Sequence, residues 1–390
     1  MGQSSVSYLW REPEAAKSFT TGVSLHSHTS QSRETLDFLS ELSKEWRVLQ
    51  PLMRWCERRC LRSTGIRPDY ARSYWTPPLT PSLAFELERG QIEDRLQMPG
   101  LVSLTDHDDI QAPMLLRSVP SSRHIPVSVE WTVPFGETAF HLGIHNLPSA
   151  AGSGWMEHLR EFTAIPAAER RPGLLKEVLA ALDEMPGVLI VFNHPLWDLY
   201  RIGGERHNVL VNEFLAVNGQ FIHALELNGL RDWKENREVA ELAGKWNQLT
   251  ISGGDRHGIE PNANINLTCA DSFTGFVYEV RRERKSHVLF MPQYAQPWKH
   301  RILQSTLDAI RDYPHFPEGS RRWDERVYHP DRRGSMRPLA QLWETGQAPV
   351  YLRGVLSTVR LMGEAPLSGG LRMAWSDAGE MRAALAKLDA

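Results

Sequence analysis

Gly22-Val-Ser-Leu-His-Ser-His-Thr29 is the stretch whose reading decides the rest of the chain. Val23, Ser24 and Leu25 spell a short strand, and His26 and His28 follow at its C-terminal end. Side chains alternate along a strand with a period of two, so both imidazoles project to one side. Two imidazoles side by side at a strand end are half of a metal site. Alone, the pair is weak, since His-x-His recurs by chance and an exposed polar strand end has the same spelling. Its meaning depends on whether later strands end in matching groups.

Composition narrows the field. The 390 residues suffice for one large domain with additions or for two domains. With 41% hydrophobic and 23% charged residues the chain is an ordinary soluble globular protein, and a net charge of -3 argues against a protein that coats nucleic acid. No apolar run approaches the roughly 20 residues of a membrane span. Met1 to Pro13 lacks the basic start and apolar core of a secretory signal, so a cytoplasmic location is expected. Cys56, Cys60 and Cys269 do not make a disulfide framework, which suits a reducing compartment. Cys56 and Cys60, four apart, read better as one helix face than as half of a zinc site.

Taken in order, the first residues are a polar lead-in. Ser32 as N-cap and the apolar series Leu36, Leu39, Leu42, Trp46, Leu49 and Met53 predict a helix, broken or kinked at Pro51. A second helical piece runs through Trp55 and Cys56 to about Leu61, and Thr80-Pro81 opens another, to about Arg89. From Leu101 short strands take over. Leu101–Thr105 ends in Asp106-His107-Asp108-Asp109, Pro126–Glu130 ends in a carboxylate, and Thr138–Ile144 carries His141. Gly187–Phe192 is an unbroken apolar run, as in a parallel strand covered on both faces, and ends in Asn193-His194-Pro195. His223–Asn228 and Gln248–Ser252 are further strands, the second ending in Gly253-Gly-Asp-Arg-His257. Helices are predicted over Gly173–Met185 and Glu235–Trp246, and last strands over Ser272–Tyr278 and Ser286–Met291. Strands alternating with helices predict βα units and a parallel sheet. Arg281–Lys285 and Arg321–Arg326 are basic with aromatic neighbours, but their mixed charge favours a solvated surface over a nucleic-acid groove. Arg337–Ala390 suggests helices to which no chemistry can be assigned.

Ionisable residues recur at the C-terminal ends of these strands, where (β/α) barrels place their active sites. The candidates are His26, His28, His107, Glu130, His141, His194, Asp255 and His257. Imidazole with carboxylate suits zinc, manganese or iron rather than calcium or magnesium alone. So many groups exceed the needs of one ion, which implies two or three divalent metals, and Glu130 has two oxygens with which to bridge a pair.

The segments Leu25-His-Ser-His-Thr29, Leu104-Thr-Asp-His-Asp108, Val129-Glu130, Phe140-His-Leu-Gly143, Asn193-His-Pro195 and Gly253-Gly-Asp-Arg-His257 resemble, in order and strand context over residues 20–260, the motifs of the polymerase-and-histidinol-phosphatase (PHP) family. The resemblance implies an α/β fold, a distorted (β/α)7 TIM-like barrel, over residues 1–290, with a helical insertion at about 30–78 and a C-terminal extension, 291–390, of unknown role. It also implies a multinuclear metal centre that hydrolyses phosphate esters. His26, His28, Glu130 and Asp255 resemble the ligands of one metal, Glu130, His141 and His194 those of a second, and His107 and His257 two ligands of a third. His141 is preferred to the neighbouring His145 because the family's histidine falls on Phe140-His-Leu-Gly143.

The chain departs from the family at one place. A loop Asp or His before a Gly usually completes the third site, and here that place holds Ser32-Arg33-Glu34. Glu34 or Asp69 as a substitute ligand, and Arg33 as a fixed positive charge, are three open alternatives. In the implied mechanism two ions turn a shared water into a nucleophile near neutral pH. Arg256 is the first candidate to assist phosphoryl binding, with Arg33 and Arg201 behind it. Asp106 would orient a ligand, and Asn228 would contact substrate or cap its strand. The expected partner is a small phosphorylated molecule or a nucleotide, with nucleic acid less favoured and no membrane. Hydrolysis of a non-phosphate bond, or a metal-binding scaffold without activity, are the competing readings.

Overall fold

In the computed structural model of the chain, which describes residues 2–36, 49–65, 67–316, 319, 322–343 and 346–362, the ladders sort into three open sheets. The first has the order β1 (Gln3–Tyr8), β12 (Lys285–Phe290), β11 (Asn264–Thr268), β2 (Thr21–Leu25), β5 (Gly100–Ser103). The second runs β10 (Leu249–Gly253), β9 (Ala224–Asn228), β8 (Leu189–Asn193), β7 (Thr138–Leu147), β6 (Val127–Phe135). The third joins β14 (Met336–Pro338) and β13 (Val327–Pro330) from the C-terminal part to β4 (Tyr74–Trp75) and β3 (Glu34–Thr35) from the segment after His28.

The expected parallel order holds in part. β1–β12, β2–β5, β8–β9 and β9–β10 are parallel, whereas β11 runs antiparallel to both neighbours and β6–β7–β8 is an antiparallel meander. The two five-stranded sheets do not join into a closed ring of ladders. Single bridges link them, Ser27 to Arg256 just past the ends of β2 and β10, and His107, past the end of β5, to Glu130 partway along β6. Each bridge includes at least one predicted site residue, and Ser27 lies between two of them, so the seam between the sheets runs through the site.

The strands follow from their spelling. β8 reads Leu-Ile-Val-Phe-Asn and is buried along its length. Its alternate residues serve two cores: Ile190 and Phe192 pack with the helices outside the sheet, and Leu189 and Val191 pack inward with Val23, Leu25, Ala224, Leu249 and Ile251. That is the period-two signature of a strand covered on both faces. Phe273, Phe276 and Val277 close the inner core. The helix Pro81–Leu96 begins where expected, with Thr80 Oγ1 accepting from the Leu83 N–H, and lies against β2. A Cβ on Gly22 would come within 2.6 Å of Ile92, so only glycine allows that approach.

Several sequence expectations are corrected. Phe273–Tyr278 is a helix rather than a strand, because Ser272 Oγ takes the Gly275 N–H and starts a turn. β1 and β11 had no clear apolar alternation and were not anticipated. Ser32 caps no helix, since the chain goes into β3 two residues later. Leu39, Leu42 and Trp46 of the predicted helix lie outside the described residues. The helix Leu49–Thr64 runs on through Pro51 and is not broken there. That helix carries Cys56 and Cys60, both partly buried. Arg281 and Arg326 are not part of a solvated basic surface: Arg281 donates to the Met185 and Val188 carbonyls, and Arg326 to those of Asp308, Ala309 and Arg311. Among the described residues no helix is long and apolar enough to cross a membrane.

Candidate metal centre

Glu130, fully buried in β6, stands at the middle of the predicted constellation. Its Oε2 faces His26 Nε2 at 3.1 Å and His28 Nε2 at 3.2 Å, and its Oε1 faces His194 Nε2 at 3.0 Å and His141 Nδ1 at 3.3 Å. Asp255 Oδ1 lies 3.5 Å from His26 Nε2 and 3.4 Å from His28 Nε2. His107 reaches Glu130 Oε2 through Nδ1 at 3.3 Å and Glu34 Oε2 through Nε2 at 3.3 Å. His257 Nε2 is 3.1 Å from the same Glu34 oxygen. All eight predicted groups therefore meet, and Glu34 joins them.

Hydrogen bonds do not account for this packing. His26 Nε2, His28 Nε2, His141 Nδ1 and Glu130 Oε2 are buried without a hydrogen-bond partner. Atoms held tetrahedrally about 2.1 Å from a common ion are about 3.4 Å apart, the spacing seen here. The groups fit divalent cations in four overlapping sets: His26, Glu130 and His194; His26, His28 and Asp255; His107, Glu130 and His141; and His28, Glu34, His107 and His257. The last set is the outer one, with His107 and His257 partly exposed, while the members of the others are otherwise buried.

Surrounding groups fix which nitrogen each ring turns inward. His26 Nδ1 meets Glu226 Oε1 at 2.5 Å, His28 Nδ1 meets Ser32 Oγ at 3.2 Å, and His257 Nδ1 donates to the Asp255 carbonyl at 2.8 Å, which leaves each Nε2 for a cation. Glu226 also accepts the His194 N–H at 2.7 Å and Asn228 Nδ2 at 3.1 Å. It fits under His26 because position 253 is glycine: a Cβ there would lie 1.5 Å from Glu226 Oε1. Three of the ligand positions, His26 (φ 61°), His194 (φ 26°) and Asp255 (φ 54°), have left-handed backbone, an uncommon state for non-glycine residues. The strands end there, and the sharp turn aims each side chain across the seam.

Charge in the centre is mutually supported. Burial disfavours ionised carboxylates, yet the imidazoles of His26, His107 and His141 hold Glu130 well below the usual carboxylate range. Glu34 is likewise lowered against its burial, by His257, His107 and His28. Burial lowers His107 too, but Glu34 and Glu130 outweigh it and raise it to about 10. The carboxylates are thus held in the ionised form that a cation would bind, and a cation there would compete with the protons that His26, His28 and His107 are favoured to carry.

The remaining candidates divide. Of the three alternatives, Glu34 is the one brought beside His107 and His257; Asp69 accepts the Arg72 N–H, and the exposed Arg33 lies over the Tyr74 ring at 5.4 Å. His145 turns away to Ser103 Oγ at 2.8 Å, and burial drops its pKa to about 3. Asp106 accepts the Thr29 N–H at 2.6 Å and hydroxyl at 2.7 Å, pinning the loop that follows His28. Arg256 is a correction, because its guanidinium is buried away from the centre. It pairs with Glu88 at 2.7 Å and donates to the Gly258 and His28 carbonyls, so it braces the backbone of two ligand loops. Asn228 is held by Glu226 and Asp255. Sequence reading missed Glu226 and Glu88; the signal was a carboxylate inside the otherwise apolar Ala224-Leu-Glu-Leu-Asn228 and on the inner face of a helix. It also missed Trp197, whose ring stands 5.0 Å from that of His194 and carries the Arg231 guanidinium at 4.2 Å.

No family model matches the chain, and no curated protein matches it. Solved structures similar to it include an amidohydrolase from Chromobacterium violaceum with bound sulfate and no metal, at 16% identity over 60% of this chain and 87% of that one, with a TM-score of 0.37. PsfC from Pseudomonas syringae matches at 14% identity over 74% and 96%, with a TM-score of 0.39. A proposed metal-dependent phosphoesterase from Bifidobacterium adolescentis matches at 13% identity over 52% and 91%, with a TM-score of 0.30. These likenesses are remote and transfer no activity to this chain.

Proposed function

We propose that the chain is a metal-dependent hydrolase of the PHP type that cleaves a phosphate ester of a small molecule or nucleotide. The observation that carries this reading is the sharing of Glu130, one oxygen toward His26 and His28 and the other toward His194 and His141. A carboxylate between two imidazole pairs suits two cations held a few ångströms apart, the arrangement that hydrolytic two-metal sites use. Zinc, manganese or iron bound there would activate a water near neutral pH and neutralise charge on a phosphoryl oxygen. The two open sheets, bridged at Ser27–Arg256 and His107–Glu130, are read as a distorted barrel parted at its seam.

The chain's own residues have distinct tasks. Glu226 and Ser32 hold His26 and His28 with Nε2 inward, Asn193 donates to Glu130 Oε1 at 3.0 Å, and Arg256 fixes the loops that carry His28 and His257. Trp197 and Arg231 form a wall beside His194 that pairs an apolar face with a cation, suited to a substrate with a flat or apolar part next to its phosphate. Metal analysis of the purified protein, with a screen of phosphate monoesters and His194→Ala as control, tests the proposal. At least two metals per chain and hydrolysis lost in the variant are expected. Fewer metals, or hydrolysis of non-phosphate bonds alone, overturn it.

A further inference from the structure

The outer group of ligands is gripped from two directions. His28 and His107 follow β2 and β5 in the body of the fold, but Glu34 and His257 lie where the C-terminal part of the chain reaches the centre. Glu34 opens β3 and pairs in register with Trp75 of β4, and Trp75 pairs on its other side with Val327 of β13. Tyr74 and Tyr328, the next pair along, stack with ring centroids 4.7 Å apart. A two-residue strand has too few ladder bonds to hold its own place. What holds this one is the core in which Leu36 and Trp75 pack with Ala309, Trp323 and Val327. The Trp75 ring also stands 6.0 Å from that of His257. On the other flank, Asp308 of the helix Trp298–Ile310 accepts the Ile259 N–H at 2.8 Å, two residues beyond His257, and Tyr313 holds its second oxygen at 2.9 Å. Among the inner ligands, His26, Asp255 and Glu130 have different supports, Glu226, Asn228 and Asn193, all from β8 and β9, while His28 belongs to both groups and is held by Ser32.

We propose that the helix Trp298–Ile310 and the hairpin Val327–Pro338 are the positioning frame of the outer cation site. A divalent ion among His28, Glu34, His107 and His257 is bound only while this frame holds Glu34 and His257, and the inner ligand sets do not depend on it. The proposal rests on the metal-centre reading above, but its test counts ions and does not read hydrolysis. Metal-stripped full-length protein is titrated with Mn2+ alone, and bound ions are counted by equilibrium dialysis, in the wild type, Glu34→Ala, Tyr328→Pro and Asp308→Ala. Each variant is expected to bind one equivalent fewer than the wild type, with the remaining equivalents unchanged in affinity within about threefold. Tyr328→Pro breaks the β4–β13 ladder and Asp308→Ala releases the loop after His257; if the proline variant unfolds by circular dichroism, Asp308→Ala decides alone. Full stoichiometry in folded frame variants overturns the proposal, as does loss of every equivalent together. The same pattern in a chain without phosphatase activity upholds the frame and refutes only the substrate.

Discussion

Nδ1 of His26 lies 2.5 Å from Oε1 of Glu226, across the ring from the Nε2 that faces Glu130. The imidazole is thereby clamped between two buried carboxylates, one that fixes its tautomer and one that would share a cation with it. Replacing the outer partner of a metal-binding histidine typically weakens metal affinity roughly 10–100-fold. Glu226→Gln is expected to show that loss, because an amide has a single acceptor oxygen: turned either way, its NH2 faces the His26 Nδ1–H or the His194 N–H and cannot accept from it. Competition against a chromogenic chelator measures it, and an unchanged affinity would reduce Glu226 to a space filler.

Ser32 Oγ lies within 3.2 Å of both His28 Nδ1 and the His107 N–H, and donates to Glu34 at 2.5 Å. Ser32→Ala strands a buried N–H and releases a buried carboxylate. Unsatisfied groups of this kind cost about 1–3 kcal/mol. Urea denaturation of metal-free protein should register that loss, and a variant as stable as the wild type contradicts the hub role.

Arg256 and Glu88 form a buried ion pair at 2.7 Å, with Ser24, Ser27 and Asn262 also bonded to the carboxylate. Breaking such a pair leaves an unpaired buried charge and costs about 3–5 kcal/mol. Arg256→Met and Glu88→Gln should therefore lower the denaturation midpoint by similar amounts. A substrate-binding arginine would instead raise KM and leave stability intact, so the two measurements separate bracing from binding.

His145 sets an acid limit on stability. Its pKa is lowered to about 3 by burial, whereas in the unfolded chain it is about 6.5, so below pH 6.5 the unfolded state takes up a proton that the folded state refuses. Its contribution is complete above about pH 6.5 and declines as the pH falls. At pH 5 the loss from this group is about 2 kcal/mol. Denaturation curves at pH 7 and pH 5 should show a smaller decline for His145→Gln than for the wild type, and equal declines would remove His145 as the cause.

Much of the centre was legible because most ligands lie at or just past the end of a strand of plain spelling; Glu130, expected to end its strand, instead lies inside β6, which runs on to Phe135, and His141 lies inside β7. Glu130, Asn193-His194 and Asp255-Arg-His257 follow apolar runs that have few other ways to fold. The open form of the sheets was not legible, since it depends on which distant strands pair: β11, with its Asn-rich spelling, inserts antiparallel between β12 and β2. Glu34 stood as one of three alternatives for a local reason. Its neighbours in the sequence suggested a helix cap, and its position is decided by Trp75 and Val327, far along the chain. Arg256 was misjudged because proximity in sequence to Asp255 and His257 says nothing about which way a long side chain turns.

The left-handed backbone at His26, His194 and Asp255 has a consequence outside the chemistry. Each such residue stores of order 1–3 kcal/mol, a large share of the margin by which a domain stays folded. Ions that bind the folded chain and not the unfolded one restore that margin in proportion to their concentration. With cations bound, the folded chain would open less often, so limited proteolysis of the metal-free protein is expected to run faster than that of protein supplied with Mn2+.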